Sequence, residues 1–306
     1  MPPRSPLLQR HGLDAAWVRT SDRNPARPSP WLTMEEWLEE KLGEFISVPE
    51  YLAAERFVYE SGAPVRGADQ YLDNTFVWFH RELREEAPVP GSLDIVHQNE
   101  RFVIVDKPPF LSSIPRGKHI LESVVVKMRQ RLGLPELVPA HRLDRITSGL
   151  LLLTTERKYR APYQLMFQHQ NIAKTYLALA DSLSDKEFPV SVKNHLRKRP
   201  GNPSVDLIED AEANAHSTIE VERVLGDQTI YRLTPHTGKT HQLRQHMMTL
   251  GAPIKGDHVY PDGLLMPIDD FSTPLQLLAS ELKFTDPVTG EPQHFVSGRQ
   301  FPIRPQ

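Results

Sequence analysis

Four consecutive leucines, Leu150 to Leu153, end the stretch HRLDRITSGLLLLT at residues 141 to 154. The run is too short for a helix core and far too short to cross a bilayer, so it predicts a buried strand entered from an exposed turn. Such a strand needs apolar partners, and 306 residues with 39% apolar content can supply them. Immediately before it lie His141, Arg142, Asp144 and Arg145, so charge density runs straight into the core and Asp144 stands at its lip. A carboxylate there is a candidate nucleophile, because burial opposes its charged form while a nearby guanidinium restores it. The same residue types at this spacing most often make a surface ion pair or a turn, and spacing alone leaves both readings open.

The formal charge of −3 hides an asymmetry. Residues 1 to 100 carry 10 Lys and Arg against 17 Asp and Glu, a balance of −7, whereas the remainder carries 26 against 22, a balance of +4. Local fields rather than net charge attract phosphate, so an acidic front and a basic back fit a nucleic-acid-binding region behind a differently tasked N-terminal part. With no cysteine in the chain, disulfides, thiolate catalysis and thiolate zinc sites are excluded together. The N-terminal MPPRSPLLQRHGLD lacks the apolar centre of a secretory signal, and no apolar run approaches the ~20 residues that span a bilayer. A soluble, cytoplasmic protein with no membrane partner is expected.

Residues 1 to 30, which include RNPARPSP, read as an extended arm. A short acidic helix is predicted to begin at Thr33. Thr33 and Glu36 have capping-box spacing, Leu32 and Trp37 that of a hydrophobic staple, and Gly43 follows the last apolar position. Phe57 to Tyr59 and Phe76 to Phe79 read as strands, which makes residues 31 to 88 a small α+β appendage ahead of a larger domain at 89 to 306. APVPG, residues 87 to 91, reads as the linker.

In the larger part, Phe102 to Val105 predicts a strand stopped at Asp106-Lys107-Pro108-Pro109. A helix is expected over 119 to 132 with Gly133 as its stop, and Pro162 is expected to open another that carries Tyr163, Met166 and Phe167. KTYLALA, residues 174 to 180, reads as a strand on which Tyr176 shares a face with the small Ala178 and Ala180, leaving it free to pack or to face a cavity. HLRKRPGNP, residues 195 to 203, reads as an exposed cationic loop, and Ile219, Val221 and Ile230 to Leu233 as a hairpin. The hairpin leads into TPHTGKTHQLRQHMMTLGAPIKGD, residues 234 to 257, where Leu243, Met247 and Leu250 line one side of a helix and Arg244 lies close enough to that side to point inward. Familiar alternatives fail here. Leu233 stands where a P-loop needs its first glycine, His236, His241 and His246 are spaced by five, and ITSGL is not G-x-S-x-G.

HRLD-x-x-TSGLLLLT resembles the signature of the RluA-type pseudouridine synthases, K-x-Y-x-A at Lys174 to Ala178 is similar to that family's second motif, and TGKTHQLRQH followed by GAPIKGD is similar to its third. The K-P element at residues 107 and 108 and the closing LLASELKFTDPVTGEP, which reads Ser280 where many members have a histidine, extend the resemblance over about residues 93 to 297. The resemblance implies an α+β pseudouridine-synthase fold, with a mixed, largely antiparallel central sheet, flanking helices and a central RNA cleft. It implies Asp144 as nucleophile or base on the ribose, Tyr176 as stacking residue and general base, and Arg244 as the partner of Asp144. Arg142 is expected to enter the vacated base stack, Lys239 and His241 to hold flanking phosphates, and His141, Thr147, Gly149 and Gln242 to contact RNA.

Isomerisation of uridine adds and removes nothing, so no cofactor, nucleotide or metal is expected, and the partner is rRNA or tRNA. The helix and hairpin of residues 31 to 88 resemble a degenerate S4-like RNA-binding module, although their acidic balance departs from it. A non-catalytic RNA-binding or chaperone protein on the same fold is the main alternative. A carboxylate-based hydrolase, which would need a second carboxylate beside Asp144, is another.

Overall fold

Two units divide the chain in the computed structural model, Met1–Glu85 and Glu86–Gln306, with residues 3–20, 30–264 and 266–304 described. The first contains β1 (Ala16–Arg19), α1 (Met34–Leu42), α2 (Val48–Ala53), β2 (Val58–Tyr59) and β3 (Phe76–Phe79), with β3 paired antiparallel to β1 on one side and β2 on the other. Part of the expected arm is therefore a sheet edge. Most of RNPARPSP lies outside the described residues.

Helix α1 starts as its spacing predicts. The Thr33 hydroxyl accepts from the Glu36 N–H, the Glu36 carboxylate accepts from the Thr33 N–H, and Gly43 follows the last turn. The staple is not formed, because Trp37 is buried while Leu32 is 76% exposed. Leu32 is turned outward by two backbone bonds, its N–H donating to Glu36 and its carbonyl accepting from Tyr71.

The second unit contains β4 (Asp94–Gln98), β5 (Phe102–Lys107), α3 (Val124–Leu132), β6 (Val138–Pro139), β7 (Ser148–Thr154), α4 (Arg157–Gln168) and β8 (Ile172–Asp181). It continues with β9 (Val190–Arg197), β10 (Asp206–Ile208), β11 (Ala215–Leu225), β12 (Gln228–Pro235), α5 (Gln242–Thr249), β13 (Leu277–Thr285) and β14 (Pro292–Val296). These make one eleven-stranded sheet in the order β10-β9-β11-β12-β8-β13-β7-β5-β4, with β6 added to β7 and β14 to β13. Among the described pairings in this sheet only β7 with β13 is parallel. The architecture is the mixed, largely antiparallel α+β fold expected.

The leucine run is the middle of β7, buried along its whole length. Leu151 and Leu153 pack with Val103, Val105 and the α3 residues Val124, Val125 and Met128, whereas Leu150 and Leu152 pack with Phe102, Ile104 and the α4 residues Tyr163 and Met166. Because helices cover both faces here, the strands read as unbroken apolar runs instead of alternating. Each such leucine contributes roughly 1.5–3 kcal/mol.

A single cross-strand row carries the motifs. Lys107 pairs with Gly149, Gly149 with Ala279, Ala279 with Tyr176, and Tyr176 with Leu233. Strand β5 ends in this row, β7 has just begun and β12 is two residues from its end, so the loops after Lys107, before Ser148 and after Pro235 emerge at one end of the sheet. Gly149 is what permits the row. Its φ is +108° and a Cβ there would lie 2.3 Å from the Ala279 carbonyl oxygen, so Gly149→Ala is expected to cost at least about 2 kcal/mol through backbone strain and overpacking. Urea unfolding of the variant checks this.

Three local expectations are corrected. Helix α3 begins at Val124, because the N–H groups of Ile120, Leu121 and Glu122 donate to the Glu86 carboxylate and hold that segment extended. Helix α4 begins at Arg157, whose N–H donates to Glu136, so Pro162 lies inside it; the missing donor faces only the Lys158 carbonyl on the exposed first turn. The cationic segment at 195 to 203 is strand β9 as far as Arg197, after which Lys198 folds back onto the carbonyls of Asn202, Pro203 and Ser204. Among the described residues no helix is long and apolar enough to cross a membrane.

Candidate active site

Asp144 lies in the turn between β6 and β7, its backbone carbonyl accepting from the Thr147 N–H at 3.1 Å. Both neighbours are pinned. Leu143 exchanges hydrogen bonds with the Ser113 hydroxyl at 2.7 and 3.1 Å, and the Arg145 carbonyl accepts from Lys107 Nζ at 2.9 Å. Lys107 is fully buried and donates also to the carbonyls of Pro108 and Leu111 at 3.0 and 2.8 Å. Burial, then the charge of Arg299, pulls its pKa well below the usual lysine range, with Asp144 opposing. The Asp144 side chain stays 34% exposed, so it is held in place and still reachable.

It opens on a cavity of about 280 Å³ lined by Phe110, Arg145, Ile146, His241, Arg244 and Met266 among others. Phe110 reaches that wall with a φ of +68°, a conformation that costs a bulky residue on the order of 1–3 kcal/mol. It packs on Phe271 at 5.5 Å between ring centroids, and the Arg145 guanidinium lies 5.8 Å from its ring.

Arg244 projects inward from α5 and is 3% exposed. Its bidentate partner is Asp257 rather than Asp144: Nε and Nη2 donate to the Asp257 carboxylate at 2.6 and 2.7 Å, while Nη1 stands 3.6 Å from Asp144 Oδ2. A planar fork can grip only one carboxylate in this way, which leaves its third nitrogen for Asp144. Asp257 also accepts from the N–H groups of Val259 and Tyr260. Burial opposes the Arg244 charge, but the bonds to Asp257 and the charges of Asp257 and Asp144 outweigh it and raise the pKa.

Tyr176 packs between the two core clusters of α3 and α5, two strands away from Gly149 along the common row. Burial, then the Asp144 charge, pushes its phenol far above the ordinary range. The resting protein thus holds a neutral phenol, suited to stacking on a base.

His241, expected to hold a phosphate, is neutral at pH 7. Burial, partly opposed by Asp144 and reinforced by Arg244 and Lys198, lowers its pKa to about 4. Its Nε2 lies 3.7 Å from Asp144 Oδ2 and its Nδ1 3.2 Å from the Tyr260 hydroxyl. Four residues expected to contact RNA make contacts within the protein. His141 stacks on Phe167 at 4.1 Å and accepts from the Leu152 N–H, Thr147 and Gly149 are buried, and buried Gln242 links Thr237, the Lys239 N–H and the His216 carbonyl. Short turns need such internal bonds, which consume the polar groups a ligand would use. Arg142 and Lys239 remain exposed.

Ser113, Phe110 and Asp257 carried no role in the sequence reading. Asp257 closes the GAPIKGD string and was legible as part of a motif, whereas Ser113 and the φ of Phe110 have no local signal. Among the described residues no group of three or more His, Cys, Asp or Glu side chains could hold a metal.

The buried histidines make a pH prediction. Burial holds the pKa of His141 at about 3, with Lys174 adding to it, and burial holds His246 at about 4 alongside His241. The unfolded chain binds protons at pH ~6.5 that the folded chain refuses, so their contribution is full above that pH and is lost as pH falls towards 4. Chemical denaturation should show stability dropping by on the order of a few kcal/mol across that window.

An RNA pseudouridylate synthase family model matches residues 101–249. The dual-specificity RNA pseudouridine synthase RluA of Pasteurella multocida is 33% identical over 218 residues, covering 67% of this chain and 92% of that protein. The tRNA pseudouridine synthase C of Vibrio vulnificus is 32% identical over 219 residues, 64% of this chain and 86% of that protein. The fold is shared with the human RNA pseudouridylate synthase domain containing 1 structure, at a TM-score of 0.55 and 24% identity over 69% of this chain and 86% of that one. The chain is therefore an isomerase of the RNA pseudouridine synthase class. Within that class it belongs to the RluA-type family.

Proposed function

We propose that this enzyme converts specific uridines of structured rRNA or tRNA to pseudouridine, with Asp144 as the group that reacts at the ribose. The observation that carries the reading is a part-exposed carboxylate whose two neighbouring residues are anchored and whose side chain faces a buried arginine at 3.6 Å in the wall of an open pocket. Asp144 either attacks C1′, to be released when C5 displaces it, or removes the C2′ proton and returns it to C2′ as C5 adds to C1′; in both routes the N1 bond breaks and the base turns before the C5–C1′ bond forms. Arg244 faces Asp144 and aims it, and Tyr176 stacks on the base. The C5 proton then passes to a base at the site, for which the freed Asp144 carboxylate and the Tyr176 hydroxyl are the candidates. Extracting the uridine from its stack costs about a few kcal/mol, which exposed cations such as Arg142 and Lys239 help to offset through phosphate or base-stack contacts.

Residues 89 to 306 carry this chemistry on our reading, and the acidic segment at 31 to 88 serves as a structural appendage. The hydrolase alternative finds its second carboxylate in Asp257, yet that group has no exposed side-chain surface and is clamped by Arg244. Mapping of pseudouridine by carbodiimide-dependent reverse-transcription stops tests the proposal, on total RNA from cells with the wild-type protein, without it, and with Asp144→Ala. Stops lost in both altered strains support it and reveal the uridine. Stops unchanged in all three strains would favour the non-catalytic RNA-binding alternative.

A further inference from the structure

We infer that Leu264, Met266 and Ile268 form an apolar lip at the mouth of the Asp144 cavity, on which the nucleobases next to the flipped uridine stack. The inference rests on the synthase reading and deepens it. The three side chains are 56%, 37% and 37% exposed, and Leu264 and Met266 line the same cavity as Asp144 and Arg244. Single exposed apolar residues are ordinary on a protein surface. Two of these three, Leu264 and Met266, line the reactive pocket itself, and Ile268 follows with its carbonyl bonded to Arg145 of the same pocket.

The segment is fixed from several directions. The Gly263 and Leu264 N–H groups donate to the carbonyls of Val259 and His258 at 2.9 and 2.8 Å, and the N–H groups of Val259 and Tyr260 donate to Asp257. Arg145, the neighbour of Asp144, donates to the Ile268 carbonyl at 3.3 Å, and Phe271 packs on Phe110. The lip is thus tied through Asp257 to Arg244 and through Arg145 to the catalytic turn.

Its chemistry selects base faces over the phosphate backbone. Asp262, Asp269 and Asp270 lie on the same segment and repel phosphate, so apolar area is what it can offer RNA. Flipping a uridine leaves its neighbours with uncovered faces, and apolar side chains placed there recover part of the lost stacking. The lip contact is made only in the complex, so it matters where flanking bases are present to lie on it and vanishes where those bases are removed.

The test compares the wild type with Leu264→Ser, Met266→Ser and Leu264→Met on two RNAs: the stem-loop containing the uridine mapped in vivo, and the same stem-loop with abasic nucleotides on either side of that uridine. The serine variants should lose about tenfold in kcat/KM on the stem-loop, the scale of one base-stacking contact. Because the abasic RNA offers the lip no base face, the ratio of the two activities should fall towards one in the serine variants, and Leu264→Met should keep the wild-type ratio. Equal losses on both RNAs, or no loss on either, overturn the lip while leaving the synthase reading standing. A wild-type protein that modifies neither RNA overturns both.

Discussion

Asp144→Ala is expected to abolish pseudouridine formation at every uridine that depends on this protein, lowering turnover by about four orders of magnitude or more, the scale of losing a reacting group. Stability should barely change. The Asp144 carboxylate is 34% exposed, and the partners described for it, Arg244 and His241, stand at 3.6 and 3.7 Å, beyond hydrogen-bond range. Removing it leaves Arg244 paired with Asp257 and strands no charge. Surface substitutions of this kind stay within about ±0.5 kcal/mol. Asp144→Asn keeps the shape and removes only the charge, so it should be as inactive as the alanine variant. The assay is carbodiimide mapping of the purified product, with urea denaturation on the same preparations. Wild-type turnover from either variant would remove Asp144 from the chemistry.

Asp257→Ala should produce the largest loss of stability. It deletes both bonds that hold Arg244, at 2.6 and 2.7 Å, and the acceptor of two backbone N–H groups, leaving a guanidinium that is 3% exposed without its bidentate partner. Breaking a buried ion pair from one side costs about 3–5 kcal/mol. Activity should fall as well, because Arg244 can then swing to take Asp144 in its fork and reorient it.

The double variant Asp257→Leu with Arg244→Met separates the two effects. With no stranded charge it should recover much of the stability, since apolar replacement of a buried pair is often close to neutral. Activity should not return, because nothing then faces Asp144. Denaturation and kinetics across the four proteins of the cycle would measure the coupling. A loss below about 1 kcal/mol for Asp257→Ala would mean that solvent already screens this pair.

Elements with a complete local cause were legible in the sequence. Helix α1 carries its own start in Thr33 and Glu36, β7 and β5 carry unbroken apolar runs, and Gly133 ends α3 in the left-handed conformation. The motif strings marked Asp144, Tyr176 and Arg244 as residues to watch, and β7, β8 and α5 bring them to one end of the sheet. The start of α3 was misread for a physical reason: residues 119 to 123 have helical apolar spacing, and Glu86, more than thirty residues earlier, captures their donors. Pro162 misled similarly, because a proline is tolerated wherever the donor it removes is not needed.

By itself the sequence determined which strands must be buried on both faces, because runs such as Leu150 to Leu153 have no other stable place, and which family the chain belongs to, because its motifs are contiguous strings. Only the tertiary structure decided who holds whom. That Arg244 grips Asp257 before it faces Asp144, that Lys107 and Ser113 pin the turn from either side, and that His241 is too buried to carry charge all follow from the register of strands far apart in the chain. Hydrogen bonds and desolvation act over a few ångströms of space, and the chain brings those few ångströms together only when the sheet closes its one row from Lys107 to Leu233.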